Sequence, residues 1–155
     1  METTKDVIDT ALSFIDEGAL VNLARELVSI PSYHGLDNPE KEISSFLQFL
    51  LKSEGLNPAR IETEEGRYNV IAGYGKKNNL EKTLMLNGHL DTVSVENMTA
   101  DPFSGKIIDG KIFGRGSVDM KSALASMIHA ILAVKRAGIS LEGEVVFAGV
   151  SDEEF

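Results

Sequence analysis

The sequence predicts a three-layer α/β fold in which mainly parallel strands are flanked by helices. Three apolar stretches, residues 68–74, 83–87 and 144–150, have the length and composition of buried strands. A long helical pattern at residues 120–137 stands directly before the last of them. Strands and helices arranged in this way are typical of an α/β sheet with parallel elements.

The sequence of the first 63 residues predicts three helices and an edge strand. Apolar residues recur at helical spacing in residues 4–16 and again in residues 19–30. Asn-Pro at residues 38–39 supplies the N-cap and first-turn chemistry of a third helix, and Gly55 ends that helix as the residue after its C-cap. A short edge strand is predicted at residues 59–63.

The segment between residues 95 and 116 is rich in loops and turns. Within it, Asp109-Gly110 between two short apolar runs predicts a hairpin, so we expect Asp109 to be a turn residue rather than a ligand. The long helix that follows ends at Gly138. It contains His129 among apolar neighbours, which predicts a core or boundary histidine.

The 155 residues amount to one domain of ordinary globular composition, with 43% hydrophobic and 25% charged residues. A net charge of −9 repels phosphate backbones, which argues against nucleic acid as a partner. The absence of cysteine excludes disulfides, thiolate ligands and a cysteine nucleophile. No apolar run approaches the ~18 residues of a membrane span, and the polar N-terminus shows no signal peptide. We therefore expect a cytoplasmic protein with no membrane partner.

The stretch from residue 84 to residue 93 holds the first candidate site. An apolar run breaks at Asn87-Gly88 and is followed by His89 and Asp91. In an extended chain residues i and i+2 face the same side, so the imidazole and the carboxylate can act as a pair. A histidine that binds a metal usually donates its other ring N–H to a carboxylate, which fixes its tautomer and orientation. The alternative is a simple hairpin, because Asn-Gly between apolar runs is a strong hairpin signal.

Three more acidic residues stand where they can join a common site. Asp119 lies at the entry to the long helix, and Glu153 and Glu154 come directly after the last strand. Ligand sites of open α/β sheets form at the carboxyl ends of strands, so these carboxylates and His89 are expected to meet at one edge. Oxygen and imidazole donors suit zinc, cobalt or manganese, and one carboxylate can bridge two ions ~3.5–4 Å apart. The alternatives are that Asp119 only caps the helix and that the two glutamates are solvated.

Five motifs, in this order, resemble those of one metallopeptidase family. They are Asn-Gly-His-Leu-Asp-Thr-Val (87–93), Asp-Pro-Phe-Ser-Gly (101–105), Asp-Gly-Lys (109–111), Gly-Arg-Gly-Ser-Val-Asp-Met-Lys (114–121) and Ser-Asp-Glu-Glu (151–154). The family is the di-zinc metallopeptidase and deacylase family of acetylornithine deacetylase, succinyl-diaminopimelate desuccinylase, aminoacylase and carboxypeptidase G. The resemblance runs from about residue 20 to the last residue and implies an incomplete catalytic domain of a zinc-dependent exopeptidase type.

The resemblance also implies a role for each residue that matches a motif. His89 and Glu154 would each bind one of two divalent metal ions, zinc in the first place, with cobalt and manganese as alternatives. Asp119 would bridge both ions, beside an unusual cis peptide bond to the next residue. Asp91 would orient His89, and Glu153 would be the general base. The reaction would be hydrolysis of the amide bond of an N-acyl amino acid or a small peptide, and the intact protein would be a homodimer.

Members of this family continue well beyond the Glu-Glu motif. The resemblance therefore implies that residues 1–155 are the N-terminal part of the catalytic domain, without its C-terminal part and its lid or dimerisation domain. Each ion would keep two protein ligands, whereas catalytic zinc normally has three, so we expect the chain alone to bind metal weakly and to be close to inactive. The alternative is a non-catalytic fragment or subunit that needs a partner chain to complete its fold and site. A nucleotide-binding domain that uses Gly114 and Gly116 is a third reading, although the other residues of a phosphate-binding loop are missing.

Overall fold

The computed structural model describes residues 3–77 and 80–154. The helices among them are α1 (Thr4–Leu12), α2 (Glu17–Ser29), α3 (Lys41–Ser53) and α4 (Lys121–Arg136). The strands are β1 (Ala59–Glu64), β2 (Arg67–Gly75), β3 (Thr83–His89), β4 (Lys106–Ile108), β5 (Lys111–Phe113) and β6 (Glu144–Val150). The predicted α/β class is confirmed, and each strand predicted from the sequence is present within a few residues of its expected bounds.

A four-stranded sheet in the order β1-β2-β6-β3 forms the centre of the fold. β3 and β6 are parallel and in register from Thr83 opposite Glu144 to His89 opposite Val150. Helix α4 lies in the crossover between them, as parallel neighbours require. Consequently β3 and β6 end at the same edge of the sheet, and the residues that follow them start side by side.

The prediction of mainly parallel strands holds only for β3 and β6, because β2 is antiparallel to both of its neighbours. The β1–β2 pair is joined by a two-residue turn, Glu65-Gly66, and such a short connection permits only an antiparallel pair. The antiparallel pairing of β2 with β6 joins segments far apart in the chain, and no local pattern in the sequence specifies it.

The hydrophobic core lies between one face of the sheet and helices α2, α3 and α4. Its members are fully buried and come from every one of these elements, for example Leu27, Leu47, Val70, Leu124 and Phe147. The opposite face is open among the described residues. There Met85 and Ile61 are 58% and 47% exposed, since the described helices pack on the other side.

Three predicted helix boundaries were wrong by two residues or more. Helix α1 ends at Leu12 rather than at residue 16. Helix α2 begins before Gly18, because the Asp16 carboxylate caps it by accepting a hydrogen bond from the Ala19 N–H at 3.0 Å. Helix α3 begins after Glu40 rather than at residues 38–39, because Asn38 adopts a left-handed conformation with φ 54°. Its predicted end is confirmed, with Gly55 in a left-handed conformation (φ 73°) after the C-cap.

The Asn87-Gly88 pair is not a turn, so the hairpin alternative for this stretch does not hold. Strand β3 continues through both residues to His89, paired with β6. A Cβ on Gly88 would lie 2.8 Å from Met120 Cε and 2.9 Å from Leu124 Cδ2, so this glycine lets α4 pack closely on β3. The hairpin predicted at Asp109-Gly110 is confirmed as the turn between β4 and β5.

Among the described residues, none of the helices combines the length and the apolar character that crossing a membrane would need.

Candidate metal centre

His89 is the last residue of β3 and is 6% exposed. Its Nδ1 lies 2.9 Å from the backbone carbonyl oxygen of Asp91, and its Nε2 lies 3.0 Å from Oδ1 of Asp119. A carbonyl oxygen can only accept, so Nδ1 carries the hydrogen of this bond. Nε2 is therefore the ring atom left to bind a cation at the edge of the sheet.

The contact between His89 and Asp119 needs a positive charge to be favourable. In the neutral ring with hydrogen on Nδ1, Nε2 is an acceptor, and Asp119 Oδ1 is an acceptor too. Burial of the imidazole disfavours its charged form. The hydrogen bonds to Asp119 and to the Asp91 carbonyl, with both nearby carboxylates, outweigh this, so the pKa of His89 is raised above its ordinary 6.5. Either a proton or a metal ion at Nε2 would supply the positive charge that makes the contact with Asp119 favourable.

The chain that leaves β3 is held in place by hydrogen bonds on both sides. The Leu90 N–H donates to the Val150 carbonyl at 2.7 Å, which continues the parallel pairing one residue beyond His89. On the other side, the buried Ser32 hydroxyl donates to the Leu90 carbonyl at 2.8 Å, and the Thr92 N–H donates to the Ser32 carbonyl at 2.9 Å. His89 and Asp91 therefore project from a well-supported backbone.

Asp119 reaches the site from the entry of α4 and does not cap that helix. The N-cap position is Met120, and no side-chain cap hydrogen bond is present there. The peptide bond between Asp119 and Met120 is cis, as the resemblance implied. The Asp119 side chain is 72% exposed, so its carboxylate points into the open edge of the sheet beside His89.

Glycines fix the path of the backbone before Asp119. Gly114 and Gly116 both have positive φ, 151° and 82°. A Cβ at the first would lie 2.3 Å from Val28 Cγ1, and one at the second would lie 2.9 Å from Thr92 Cγ2. Close packing and backbone conformation thus account for both glycines without a bound phosphate.

Glu153 and Glu154 lie on the turn directly after β6. Asp152 has a φ of 67°, so the chain leaves the extended form at once and the glutamates do not alternate across a strand. The Glu154 N–H donates to Asp91 Oδ2 at 2.9 Å. The Glu153 carboxylate is 60% exposed, and its Oε2 lies 3.9 Å from His89 Nε2.

Asp91 is fully buried and links the two strand ends. It contacts His89 through its backbone carbonyl, whereas its Oδ1 lies 3.8 Å from Nδ1 of the ring. That Oδ1 has no hydrogen-bond partner among the described residues, while Oδ2 accepts from Glu154. Asp91 thus holds both the imidazole and the glutamate turn, and it adds a negative charge behind the ring.

Three of the predicted site residues form a group that can hold a metal ion. One ligand atom from each of His89, Asp119 and Glu154 lies within 4.8 Å of the other two. One imidazole nitrogen with two carboxylates is a donor set that suits zinc, cobalt or manganese. The unpaired acceptors at His89 and Asp119 fit the same interpretation, since a cation between them would satisfy both.

His129 lies outside this group. It is on α4 and is 6% exposed, as a core or boundary histidine should be. Burial, together with nearby Arg136, lowers the pKa of His129.

Sequence reasoning missed two buried charged residues that support the site. Lys121 is fully buried, donates from Nζ to the Ile30 carbonyl at 2.6 Å, and has a pKa that burial lowers to about 7. Glu40 is fully buried and paired with Arg67. The sequence signal for Lys121 was its place in the first turn of an otherwise apolar helix; for Glu40 the pairing is tertiary and leaves no local signal.

Comparison with known proteins gives a family match in the second half of the chain. Residues 85–155 match the model of Peptidase family M20/M25/M40. A succinyl-diaminopimelate desuccinylase of Beijerinckia indica is 33% identical over 138 residues, which cover 86% of this chain and 35% of that protein. The chain therefore spans about a third of the length of the curated relatives that it matches.

Solved structures share the fold. Human carnosine dipeptidase 1 superposes with a TM-score of 0.75 at 21% identity, over 92% of this chain and 34% of that one. An M20 family metallo-carboxypeptidase from Sulfolobus solfataricus gives 0.74 at 24% identity, over 88% and 31%. These matches confirm the resemblance drawn from the five sequence motifs: residues 85–155, a little under half of this chain, match the model of Peptidase family M20/M25/M40.

Proposed function

We propose that this chain is the N-terminal part of a metal-dependent amidohydrolase that cleaves the C–N amide bond of N-acyl amino acids or small peptides. The observation that carries the proposal is the meeting of donor atoms from His89, Asp119 and Glu154 at the common end of β3 and β6. The names of the relatives, desuccinylase and dipeptidase among them, support the substrate class.

The proposed ligands divide two divalent ions between them. His89 would hold one ion and Glu154 the other, while Asp119 would serve both, since a carboxylate has two oxygens and Oδ1 of Asp119 lies 3.0 Å from His89 Nε2. Zinc fits this donor set, with cobalt or manganese as alternatives. When bound, such ions supply Lewis acidity and lower the pKa of a bound water toward about 7.

The proposed general base is Glu153. Its carboxylate is mostly exposed and lies 3.9 Å from His89 Nε2, near the ligand group but not among its closest atoms. A carboxylate in this place can take the proton from the attacking water and pass it to the leaving amine as the C–N bond breaks. Asp91 keeps the His89 ring in the orientation that directs Nε2 to the ions.

We further propose that the remainder of a longer protein completes the site. With two ions divided among His89, Asp119 and Glu154, each ion would have two of these residues as ligands, whereas catalytic zinc normally has three. The open face of the sheet, where Met85 is 58% exposed, fits a chain that packs against further structure. A lid or dimerisation domain and a homodimeric assembly belong to the same proposal.

The proposal is tested by assaying the intact protein against three substrate types: an N-succinyl amino acid, an N-acetyl amino acid and a dipeptide. We expect hydrolysis of at least one of them, loss of the activity with a chelator, and its return with zinc or cobalt. The chain of residues 1–155 should show almost none of it. Hydrolysis that a chelator leaves unchanged, or robust amidase activity of residues 1–155 alone, would contradict the proposal.

A further inference from the structure

Arg67, the first residue of β2, joins a buried carboxylate to the turn that carries the two glutamates. Its Nε and Nη2 donate to Glu40 Oε2 and Oε1 at 2.8 and 2.6 Å. The same Nη2 lies 3.1 Å from Oδ1 of Asp152. The Glu40 side chain is 0% exposed and that of Arg67 is 17% exposed, so the fork between them is shielded from water.

Three of the four residues in the turn after β6 (residues 151–154) are held by hydrogen bonds or an ion pair to residues outside the turn. Asn69 Oδ1 accepts from the N–H and the hydroxyl of Ser151, at 2.8 and 3.0 Å. Arg67 holds Asp152, and Asp91 Oδ2 accepts from the Glu154 N–H at 2.9 Å.

Asp152 needs such support because its backbone is in an uncommon conformation. Its φ of 67° lies in the left-handed region, which residues other than glycine seldom adopt. Conformations of this kind persist when the surrounding structure holds them. A guanidinium held by two parallel hydrogen bonds has a fixed orientation. In Arg67 this orientation places Nη2, which also bonds Glu40, next to the Asp152 carboxylate.

We propose that Arg67, oriented by Glu40, is a positioning residue that holds the turn of residues 151–154, and thereby sets where Glu153 and Glu154 stand relative to His89. The inference rests on the proposed function, in which Glu154 is a metal ligand. A purely structural ion pair between Glu40 and Arg67 would affect only stability. The positioning role also predicts that loss of Arg67 lowers the affinity for a metal ion.

The direction in which Arg67→Met changes cation affinity distinguishes a positioning role from a simple electrostatic one. Removing a positive charge near a cation site should tighten cation binding by Coulomb's law. If Arg67 instead positions a ligand, Arg67→Met should weaken binding, about 10–100-fold as for other residues that orient metal ligands. The matched control is Arg60→Met, because Arg60 also contacts α3, through the Ser44 hydroxyl at 2.8 Å. Its other contacts among the described residues are with the Lys41 carbonyl and the Tyr68 ring, away from the turn.

The experiment uses the 155-residue chain and two readouts. One is the affinity for Co²⁺, followed by its visible absorption; the other is hydrogen exchange of the Glu154 amide without metal. We expect Arg67→Met to weaken Co²⁺ binding and to speed that exchange about tenfold or more, in line with local opening. Arg60→Met should leave both within about twofold, the ordinary range for a surface change. Since Arg67→Met leaves Glu40 buried and unpaired, the double variant Arg67→Met/Glu40→Gln is measured beside it.

Unchanged or tighter Co²⁺ binding, or unchanged Glu154 exchange, in the folded Arg67 variants would overturn the positioning role. Weak Co²⁺ binding is expected of this chain, so titration extends to millimolar Co²⁺; no binding by the wild-type chain even there would instead contradict the proposed metal centre. In that case the exchange readout still decides the positioning role, because it needs no metal.

Discussion

Nε2 of His89 lies 3.0 Å from Oδ1 of Asp119, across 30 residues of sequence. The contact exists because β3 ends at His89 while the entry of α4 returns over the same edge of the sheet. Two acceptors at this distance repel each other unless a positive charge joins them. The pair therefore marks the place where a cation is expected, and several predictions depend on it.

Removal of the Asp119 carboxylate should weaken metal binding strongly. We expect Asp119→Ala to weaken Zn²⁺ or Co²⁺ binding more than a substitution at any other ligand, since Asp119 is proposed to serve both ions. Equilibrium dialysis of the 155-residue chain measures this. The control is Asp109→Asn at the tip of the β4–β5 hairpin, where asparagine suits the φ of 50°. Equal affinities of the Asp119 variant and the control would remove Asp119 from the site.

Glu153→Gln should separate catalysis from metal binding. The amide has nearly the shape of the carboxylate but cannot take a proton, and general-base catalysis is worth about 10²–10⁴-fold. In the intact protein we expect kcat to fall by about that range while the metal content stays the same. Metal analysis and steady-state kinetics on one preparation check the prediction. Parallel loss of metal and turnover would make Glu153 a ligand.

The two buried histidines should titrate on opposite sides of 6.5 in metal-free protein. The pKa of His89 is raised, since its hydrogen bond to Asp119 and the nearby charges outweigh burial, whereas burial and Arg136 lower the pKa of His129. NMR titration of the imidazole C–H signals, assigned with His89→Asn and His129→Asn, measures both. Zinc should abolish the His89 titration and leave that of His129, and the reverse result would contradict the assignment of the ligand.

These shifts give opposite contributions to stability. The folded-state pKa of His89 is raised, so its stabilisation is complete below about 6.5 and is lost as pH rises through the raised value. His129 is the converse case: the unfolded state binds more protons below about 6.5, so stability falls as pH drops toward the lowered value. Denaturant unfolding across pH 5–8, for the wild type and each asparagine variant, checks both signs. A His129 variant that keeps the full acid dependence would contradict the second.

Gly88→Ala should destabilise the protein and disturb the site. The new methyl would meet Met120 Cε at 2.8 Å and Leu124 Cδ2 at 2.9 Å, so the ends of these two side chains would have to shift between α4 and β3. Overpacking of this kind costs about 1–3 kcal/mol. Urea denaturation measures the loss, and the cost should be smaller in a Leu124→Ala background, because the two changes share one space. Simple additivity would show that α4 does not pack on Gly88 as described.

The sequence predicted those parts of the fold that have local signals. The β4–β5 turn followed from Asp109-Gly110, and the end of α3 followed from Gly55, because each needs a left-handed backbone. The start of α3 was misplaced, since the Asn38-Pro39 pair satisfies a cap pattern but occupies a turn before the helix. Local chemistry thus identified the turns better than the first residue of a helix.

The sequence predicted which site residues come together better than it predicted how the strands of the sheet pair. His89, Asp119 and Glu154 were predicted to meet because their residue types suit metal binding and they stand at strand ends or at the entry of a helix, and the structure brings them together. The antiparallel pairing of β2 with β6 was missed, since it depends on packing between distant segments. The contact of Arg67 with Glu40 was missed for the same reason.

Anomalous X-ray diffraction at the zinc edge, from crystals of the 155-residue chain soaked in zinc, tests the central claim most directly. We expect an anomalous peak about 2.0–2.2 Å from His89 Nε2 and from a carboxylate oxygen of Asp119, with Glu154 beside it. Ordered zinc at other positions, with none between His89 and Asp119, would contradict it.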